Sequence, residues 1–267
     1  MTPVPILLYH SISDDPPQWI RPLSITPKEF SHHLELIRAS VRTPVSVGDY
    51  ASILAGHGSL PDRPVVITFD DGFADFREEA LPALRRAGLQ ATLFVTTGFL
   101  EGVSEGDAMK RPPGRWLDAA ALLDLHAEGV EIGAHSHSHP HLDTLPAEMA
   151  RDEIARSKQM LEELLDAPVS SFAYPHGYHG PVVRRLAQEC GFASACAVKN
   201  ALSWDDDDRF ALARLMVRAD TTLDRLEAWL DGRGAPLARA RERARTRAWR
   251  TYRRGRALVT GRRSEWS

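Results

Sequence analysis

Two adjacent carboxylates, Asp70 and Asp71, are residues whose type and spacing suggest chemistry. They directly follow the apolar residues 65–69, and Gly72 comes after them. A short apolar run predicts a strand that is buried on both faces, and ligands of α/β folds bind where such strands end. Crowded carboxylates repel one another, so both stay ionised at neutral pH only beside a cation, a strong hydrogen-bond donor or open solvent. A solvated turn that caps the next helix is the alternative interpretation.

A second short apolar segment further along the chain ends in four histidines at alternate positions: His135, His137, His139 and His141. Imidazole is the commonest ligand of borderline divalent metals, and two rings with one carboxylate leave a coordination position open for water. If the segment is extended, all four side chains project to one side. Spacing alone does not select the pair that binds, and a solvated histidine-rich loop is the alternative.

These motifs resemble those of the polysaccharide deacetylases, carbohydrate esterase family 4. The sequence TFDDG at residues 68–72 is similar to the first motif of that family, and His135 with His139 is similar to the second. The sequence FAYPHG at residues 172–177 is similar to the third. The resemblance spans residues 4–231 and implies an N-acetyl sugar as substrate.

The same resemblance implies roles for individual residues. Asp70 is the expected catalytic base. Three residues are expected to hold a divalent metal: Asp71, His135 and His139. Zinc is the first choice for this metal, with cobalt and nickel as alternatives. His137 and His141 are left for loop or substrate contacts.

The catalytic acid is expected near the start of the chain. Most members of the family carry a Leu-x-His motif near the C-terminus, whereas here the motif occupies residues 8–10 and none appears late. This order resembles a circularly permuted subset, the poly-N-acetylglucosamine deacetylases. His10 is therefore the candidate acid, and a strand-end histidine satisfied by backbone groups is the alternative.

The third motif departs from the family pattern. It usually carries an arginine that orients the catalytic base, and this chain has Ala173 or Tyr174 there, which leaves the orientation and the pKa of Asp70 open. The backbone N–H of His176 is the candidate donor to the oxyanion. Tyr174 is a candidate for substrate binding or for a structural strand position. Trp19 is a candidate for stacking on a sugar ring or for packing on the surface.

The elements that must position these residues alternate between strands and helices. This alternation predicts parallel strands joined by crossovers, and about seven such units agree with the irregular (β/α)7 barrel, a distorted TIM barrel, that the resemblance implies. A chain of 267 residues with 43% hydrophobic and 26% charged residues fits one globular α/β domain. We place this catalytic domain at residues 1–232.

Residues 233–267 form a strongly basic tail. They contain twelve arginines and two glutamates, a net charge of +10, so the rest of the chain carries −13 of the total of −3. Their composition predicts a helix. Three interpretations stay open: packing on the acidic body, contact with an anionic membrane surface, and nucleic-acid binding, which is not favoured. The preferred functional interpretation is contact with the inner membrane leaflet, where a lipid-linked sugar is one candidate substrate.

Two classes of function stay open. The first is a metal-dependent hydrolase that removes acetyl from a free, polymeric or lipid-linked N-acetylated amino sugar, or a variant acting on another amide or an ester. The second is a pseudoenzyme that binds carbohydrate without turnover. No signal peptide or membrane span is apparent, and a cytoplasmic location is expected, with peripheral contact at the inner leaflet. The sequence does not indicate an oligomeric state.

Overall fold

Seven parallel strands form a closed barrel in the computed structural model, which describes residues 2–102, 111–238, 248–253 and 255–256. The strands are β1 Ile6–Tyr9, β2 Pro64–Phe69, β3 Thr92–Val95, β4 Glu131–Ala134, β5 Ser171–Ala173, β6 Ser194–Val198 and β7 Leu212–Met216. Their order around the barrel is β1, β7, β6, β5, β4, β3 and β2, and β2 pairs with β1 to close it. The predicted (β/α)7 barrel is confirmed.

Helices cover the outside of the barrel. Within the described ranges they are α1 Pro27–Ala39, α2 Val47–Leu54, α3 Leu81–Ala87, α4 Ala119–Ala127, α5 Ala147–Leu165, α6 Pro181–Glu189 and α7 Leu223–Leu230. Local chemistry sets several of their ends. Thr26 and Glu29 form a reciprocal capping box at the start of α1, and Gly88 ends α3 with a φ of 66°.

The alternation of side chains along a strand determines which residues enter the barrel. In β2, Val66 packs in the interior cluster, whereas Ile67 and Phe69 pack outward under the helices. Thr68 and Asp70 have the same parity as Val66, so they continue the inward-facing row toward the carboxyl end. In β7, Leu212 belongs to the same interior cluster. Side chains two residues further along either strand therefore approach the barrel axis above this apolar layer.

The N-terminal strand completes the sheet. Leu7 lies opposite Ile67 of β2 and opposite Leu215 of β7, so β1 closes the gap between these two strands. Its last residue pairs with Phe69, and the amide of Asp70 donates to the carbonyl of Tyr9 at 3.0 Å. His10 and Asp70 therefore leave neighbouring strands at the same level.

Part of the basic tail contacts the body. Leu237 forms a parallel bridge with Leu202, and Ala238 is buried beside Ala201 and Ala213. Residues 248–253 are helical. The rest of the predicted tail helix lies outside the described residues, apart from the helical residues 255–256. Barrel contacts thus continue beyond residue 232, and the domain division at that position stays a prediction.

Candidate metal centre and active site

The turn after β2 presents the two carboxylates. Asp71 has a φ of 78° and Gly72 a φ of 92°, so two consecutive residues lie in the left-handed region. A Cβ atom at Gly72 would lie 3.3 Å from Cγ1 of Val95, which adds a steric reason for glycine. An aspartate in this region costs free energy, and such strain concentrates at functional sites. The turn places both carboxylates in the interior, with Asp70 3% and Asp71 5% exposed.

The histidine segment after β4 is not extended. Ser136 and His139 have φ values of 61° and 58°, so the chain turns twice within five residues. The condition under which all four histidines would project to one side is therefore not met. His137 is buried, and its Nδ1 lies 2.9 Å from the hydroxyl of Thr97. Glu153 of α5 accepts hydrogen bonds from the amides in this turn, at 3.1 Å from that of His137 and 2.7 Å from that of Ser138.

Asp71, His135 and His139 converge on one point. Their ligand atoms all lie within 4.8 Å of one another. Oδ1 of Asp71 is 3.5 Å from Nε2 of His135 and 3.3 Å from Nε2 of His139. Edges of this length belong to a tetrahedron whose centre is about 2.1 Å from each corner, which is the distance at which imidazole nitrogen and carboxylate oxygen bind zinc. The three side chains therefore fit a divalent cation.

The orientation of His135 also suits a metal ligand. Its Nδ1 lies 2.8 Å from the carbonyl oxygen of Ala173, which can only accept, so Nδ1 carries the proton. The lone pair of Nε2 then faces Asp71, and a second hydrogen bond of this kind commonly fixes a ligating ring. Burial lowers the pKa of His135 to about 4. The ring is consequently neutral near pH 7, as metal binding requires.

Asp70 lies beside these ligands and is held by an arginine that the sequence analysis missed. Nη1 and Nη2 of Arg214, in β7, donate to Oδ1 and Oδ2 of Asp70 at 2.6 and 2.7 Å. Arg214 is fully buried. Oδ2 of Asp70 is 3.6 Å from Nε2 of His135. The arginine absent from the third motif is thus supplied by another strand, and the orientation of Asp70, left open by the sequence, is fixed.

The charges around Asp70 determine its ionisation. Burial alone would raise the pKa of this carboxyl, but the charge of Arg214 and the hydrogen bonds that it donates outweigh burial and hold the pKa below its ordinary value. The pKa of Asp71 is also held low, because the imidazole of His139, 3.3 Å away, favours the ionised carboxylate more than burial opposes it. Both carboxylates are therefore ionised at neutral pH. This agrees with the expectation that two crowded carboxylates stay ionised only beside a cation, a strong hydrogen-bond donor or open solvent.

His10 lies at the end of β1 and is 9% exposed. Its Nδ1 atom has no hydrogen-bond partner among the described residues. Burial lowers the pKa of His10, whereas the charges of Asp71 and Asp70 raise it. The net effect is a pKa of His10 below its ordinary value, and its role as the acid stays a prediction.

The third motif forms a tight turn after β5. His176 has a φ of 58°, and its ring centroid is 4.5 Å from that of His139 and 4.2 Å from that of His141. Gly177 follows with a φ of 72°, and a Cβ atom there would lie 2.4 Å from the amide nitrogen of Val198. The ring of His176 is therefore adjacent to the proposed metal ligand His139. The predicted hydrogen bond from the backbone N–H of His176 to an oxyanion is compatible with this position.

Tyr174 and Trp19, the two side chains that were candidates for substrate contact, lie in different environments. Tyr174 is fully buried in the core, and its hydroxyl donates to the carbonyl of Phe210 at 3.0 Å, so its side chain is not presented to a substrate. Trp19 donates from its indole nitrogen to the carbonyl of Pro113 at 2.7 Å and packs near Phe73, with ring centroids 5.9 Å apart. Trp19 is partly exposed, so it lies at the edge of an aromatic cluster.

The fold and the site together define a (β/α) barrel protein whose Asp/His/His cluster, at the carboxyl ends of the strands, could hold a cation. A sequence profile of the family "Polysaccharide deacetylase" matches residues 57–195. The chain belongs to this polysaccharide deacetylase family.

Individual relatives agree with this assignment. The putative polysaccharide deacetylase YxkH of Bacillus subtilis is 25% identical over 214 residues, covering 80% of this chain and 71% of the relative. The poly-beta-1,6-N-acetyl-D-glucosamine N-deacetylase of Staphylococcus epidermidis is 22% identical over 220 residues, covering 79% and 73%. The structure of the Streptococcus pyogenes deacetylase PplD in complex with acetate superposes with a TM-score of 0.74 at 22% identity, covering 84% of this chain and 96% of that chain.

Proposed function

We propose that the protein is a metal-dependent deacetylase that hydrolyses the N-acetyl group of an amino sugar. The observation that carries this proposal is the convergence of Asp71, His135 and His139 on one cation-sized position, with Asp70 oriented beside it by Arg214. The names of the relatives indicate the substrate class, since one acts on poly-beta-1,6-N-acetyl-D-glucosamine and another is a peptidoglycan-N-acetylglucosamine deacetylase. A glycan that contains N-acetylglucosamine is therefore the proposed substrate.

Individual residues of the chain have separate roles in the proposed reaction. A divalent cation in this site would supply Lewis acidity toward the amide carbonyl and lower the pKa of a bound water toward about 7. Asp70 accepts a proton from the attacking water as the new C–O bond forms. The backbone N–H of His176 donates to the oxyanion of the tetrahedral intermediate. His10 donates a proton to the nitrogen as the C–N bond breaks, which gives acetate and a free amine.

The ionisation of Asp70 and that of His10 bear on these roles in different ways. Asp70 is ionised before attack because Arg214 holds its pKa low. Burial outweighs the neighbouring carboxylates and lowers the pKa of His10, so the ring must take up the proton that it donates to the leaving amine during the reaction. General acid–base catalysis of this kind contributes on the order of 10² to 10⁴ in rate.

Acetate release tests the proposal. Protein stripped of metal is supplied with Zn²⁺, Co²⁺ or Ni²⁺ and offered N-acetylglucosamine, its oligomers and peptidoglycan fragments, with an aryl acetate ester as a non-sugar substrate. We expect metal-dependent acetate release from a sugar that disappears in Asp70→Asn. Sugar binding without acetate at any metal supplement would instead identify a carbohydrate-binding pseudoenzyme, and turnover of the ester alone would exclude the sugar specificity.

The partner of the basic tail and the location of the protein are separate proposals. We retain the inner membrane leaflet as the proposed surface and a cytoplasmic location for the catalytic domain, on the basis of the net charge of +10 in residues 233–267. The described helices include none long and apolar enough to span a bilayer. Flotation with anionic vesicles, comparing the full chain with a chain that ends at residue 238, tests the surface; equal flotation would exclude it.

A further inference from the structure

Two arginines of the tail contact a buried carboxylate close to the site. Arg253 donates from Nη1 and Nη2 to Oδ1 and Oδ2 of Asp143 at 3.0 and 2.6 Å. Arg250 places Nε 3.6 Å from Oδ2 of the same carboxylate. Asp143 is 1% exposed and lies in the turn that follows His141. A bidentate pair with a buried carboxylate is a strong and directional contact.

The same two arginines also hold the loop that follows β5. Arg250 donates from Nη2 to the carbonyl of His179 at 3.0 Å. A Cβ atom at Gly180 would lie 3.2 Å from Cζ of Arg250, so the guanidinium approaches the backbone closely there. The guanidinium of Arg253 lies 3.5 Å from the ring centroid of Tyr178, a cation–π distance. The tail segment 248–253 therefore touches two loops at once.

These two loops carry groups of the proposed site. The first runs from His139, a proposed metal ligand, to Asp143, and the second runs from His176, the proposed oxyanion donor, to Gly180. Ring contacts join them: the centroid of His141 is 5.3 Å from that of Tyr178 and 4.2 Å from that of His176. His139 and His176 both have a φ of 58°, so both turns depend on contacts that hold an unfavourable backbone conformation.

We propose that Arg250 and Arg253 are positioning residues that brace the loop of residues 139–143 against the loop of residues 176–180. The tail segment then forms part of the active-site structure, although neither arginine touches the reacting atoms. The brace fixes the distance between the metal ligand His139 and the amide of His176, and with it the orientation of the bound acetamide group. This inference rests on the proposed hydrolase function.

Charge-matched variants test the brace. Arg253→Ala removes the bidentate contact, and Arg233→Ala removes the same charge from a 71% exposed side chain of the same tail that pairs with Asp231 instead of Asp143. Displacement of a substrate-positioning group by about 1 Å costs roughly 10²-fold in rate, and loss of an outer-shell contact costs about 10- to 100-fold. We therefore expect kcat to fall about 10- to 100-fold in Arg253→Ala, with KM little changed and bound metal retained. Arg233→Ala should match the wild type.

A readout that does not depend on turnover separates the brace from the hydrolase proposal. Hydrogen exchange of peptides covering residues 139–144 and 176–180 should become faster in Arg253→Ala and in Asp143→Asn, and should stay unchanged in Arg233→Ala. If the wild type releases no acetate, the hydrolase proposal fails while the exchange data still test the brace.

The interpretation that the tail only stabilises the fold gives a different result. It predicts a lower melting temperature in Arg253→Ala with wild-type kcat well below that temperature, and this outcome would overturn the proposal. If Arg253→Ala does not fold, Arg253→Lys keeps the charge without the bidentate geometry, and we expect an intermediate loss of kcat; wild-type kcat in this variant would also refute the brace. Double-mutant analysis of Asp143→Asn with Arg253→Gln should show losses that are not additive.

Discussion

Replacement of Arg214 by methionine tests whether this residue controls the catalytic base. The wild-type pair is joined by two hydrogen bonds of 2.6 and 2.7 Å, and its side chains are 0% and 4% exposed. Methionine fills a similar volume without charge. Asp70 itself is unchanged in this variant but loses its cationic partner. Removal of one partner from a buried pair costs about 3–5 kcal/mol, because the remaining charge is left without compensation. We expect the variant to be less stable by this order.

The effect on ionisation sets the effect on rate. Burial opposes the charged form of Asp70, and Arg214 is the largest of the effects that counter it. An arginine beside an aspartate typically lowers the carboxyl pKa by about 1–3 units. Without Arg214, the pKa of Asp70 should rise by at least that amount, and a larger fraction of the base is protonated at neutral pH. The acid limb of the profile of kcat/KM against pH should therefore move to higher pH by about 1–3 units.

The assay is acetate release from an N-acetylglucosamine oligomer across the pH range, with saturating metal in every variant. Arg214→Met should recover part of its activity as the pH rises, because Asp70 remains present and ionises. Asp70→Asn should not recover at any pH. Arg214→Lys keeps the charge but not the bidentate geometry, so we expect a smaller pH shift with a reduced maximum. An acid limb in Arg214→Met that coincides with the wild type would refute the reasoning that Arg214 lowers the pKa of the base.

Three further predictions follow from the site and its surroundings. Asp70→Asn should lower kcat by about 10²- to 10⁴-fold with metal content unchanged, measured by acetate release and metal analysis; loss of metal would instead make Asp70 a ligand. His139→Ala should lose metal at equilibrium dialysis, whereas His137→Ala should retain it, since only the former ring approaches Asp71. Burial raises the pKa of Asp75 from 3.8 to about 6, so its native-state stability contribution falls as the pH rises between these values. Asp75→Asn should therefore raise the free energy of unfolding by up to about 3 kcal/mol near pH 8 and by little near pH 4; equal gains at both pH values would contradict this pKa.

The sequence predicted the barrel and its strand ends well because local signals agree with the fold there. The apolar run before Asp70 is a strand buried on both faces, as expected. Residues 135 and 139 were selected by resemblance to family motifs, and they converge on Asp71. Their spacing alone did not predict this convergence on Asp71. The convergence depends on the left-handed backbone conformations of Ser136 and His139, which no periodicity of the sequence reveals.

Arg214 and the arginines of the tail could not be placed from motifs. Arg214 does carry a signal: it is a single charge within the apolar strand Leu212–Met216, and a buried charge must find a partner. The sequence does not say which carboxylate that partner is, because the pairing joins residues 144 positions apart. The contact of Arg253 with Asp143 is likewise a tertiary contact, and it supports the interpretation in which the tail docks on the acidic body.

The closed barrel explains why the base-orienting arginine need not come from one motif. Every strand directs alternate side chains toward the same axis, so an inward position on any strand reaches the layer beneath the site. In this chain β7 is separated from β2 by β1 alone, and Nη1 of Arg214 reaches both Oγ1 of Thr68 at 3.3 Å and Oδ1 of Asp70. The third-motif position next to Ala173 follows β5, which lies two strands from β7 on the side away from β1. The chemistry therefore requires a guanidinium in the interior layer directly below Asp70. The strand that supplies this guanidinium can change while the site is retained.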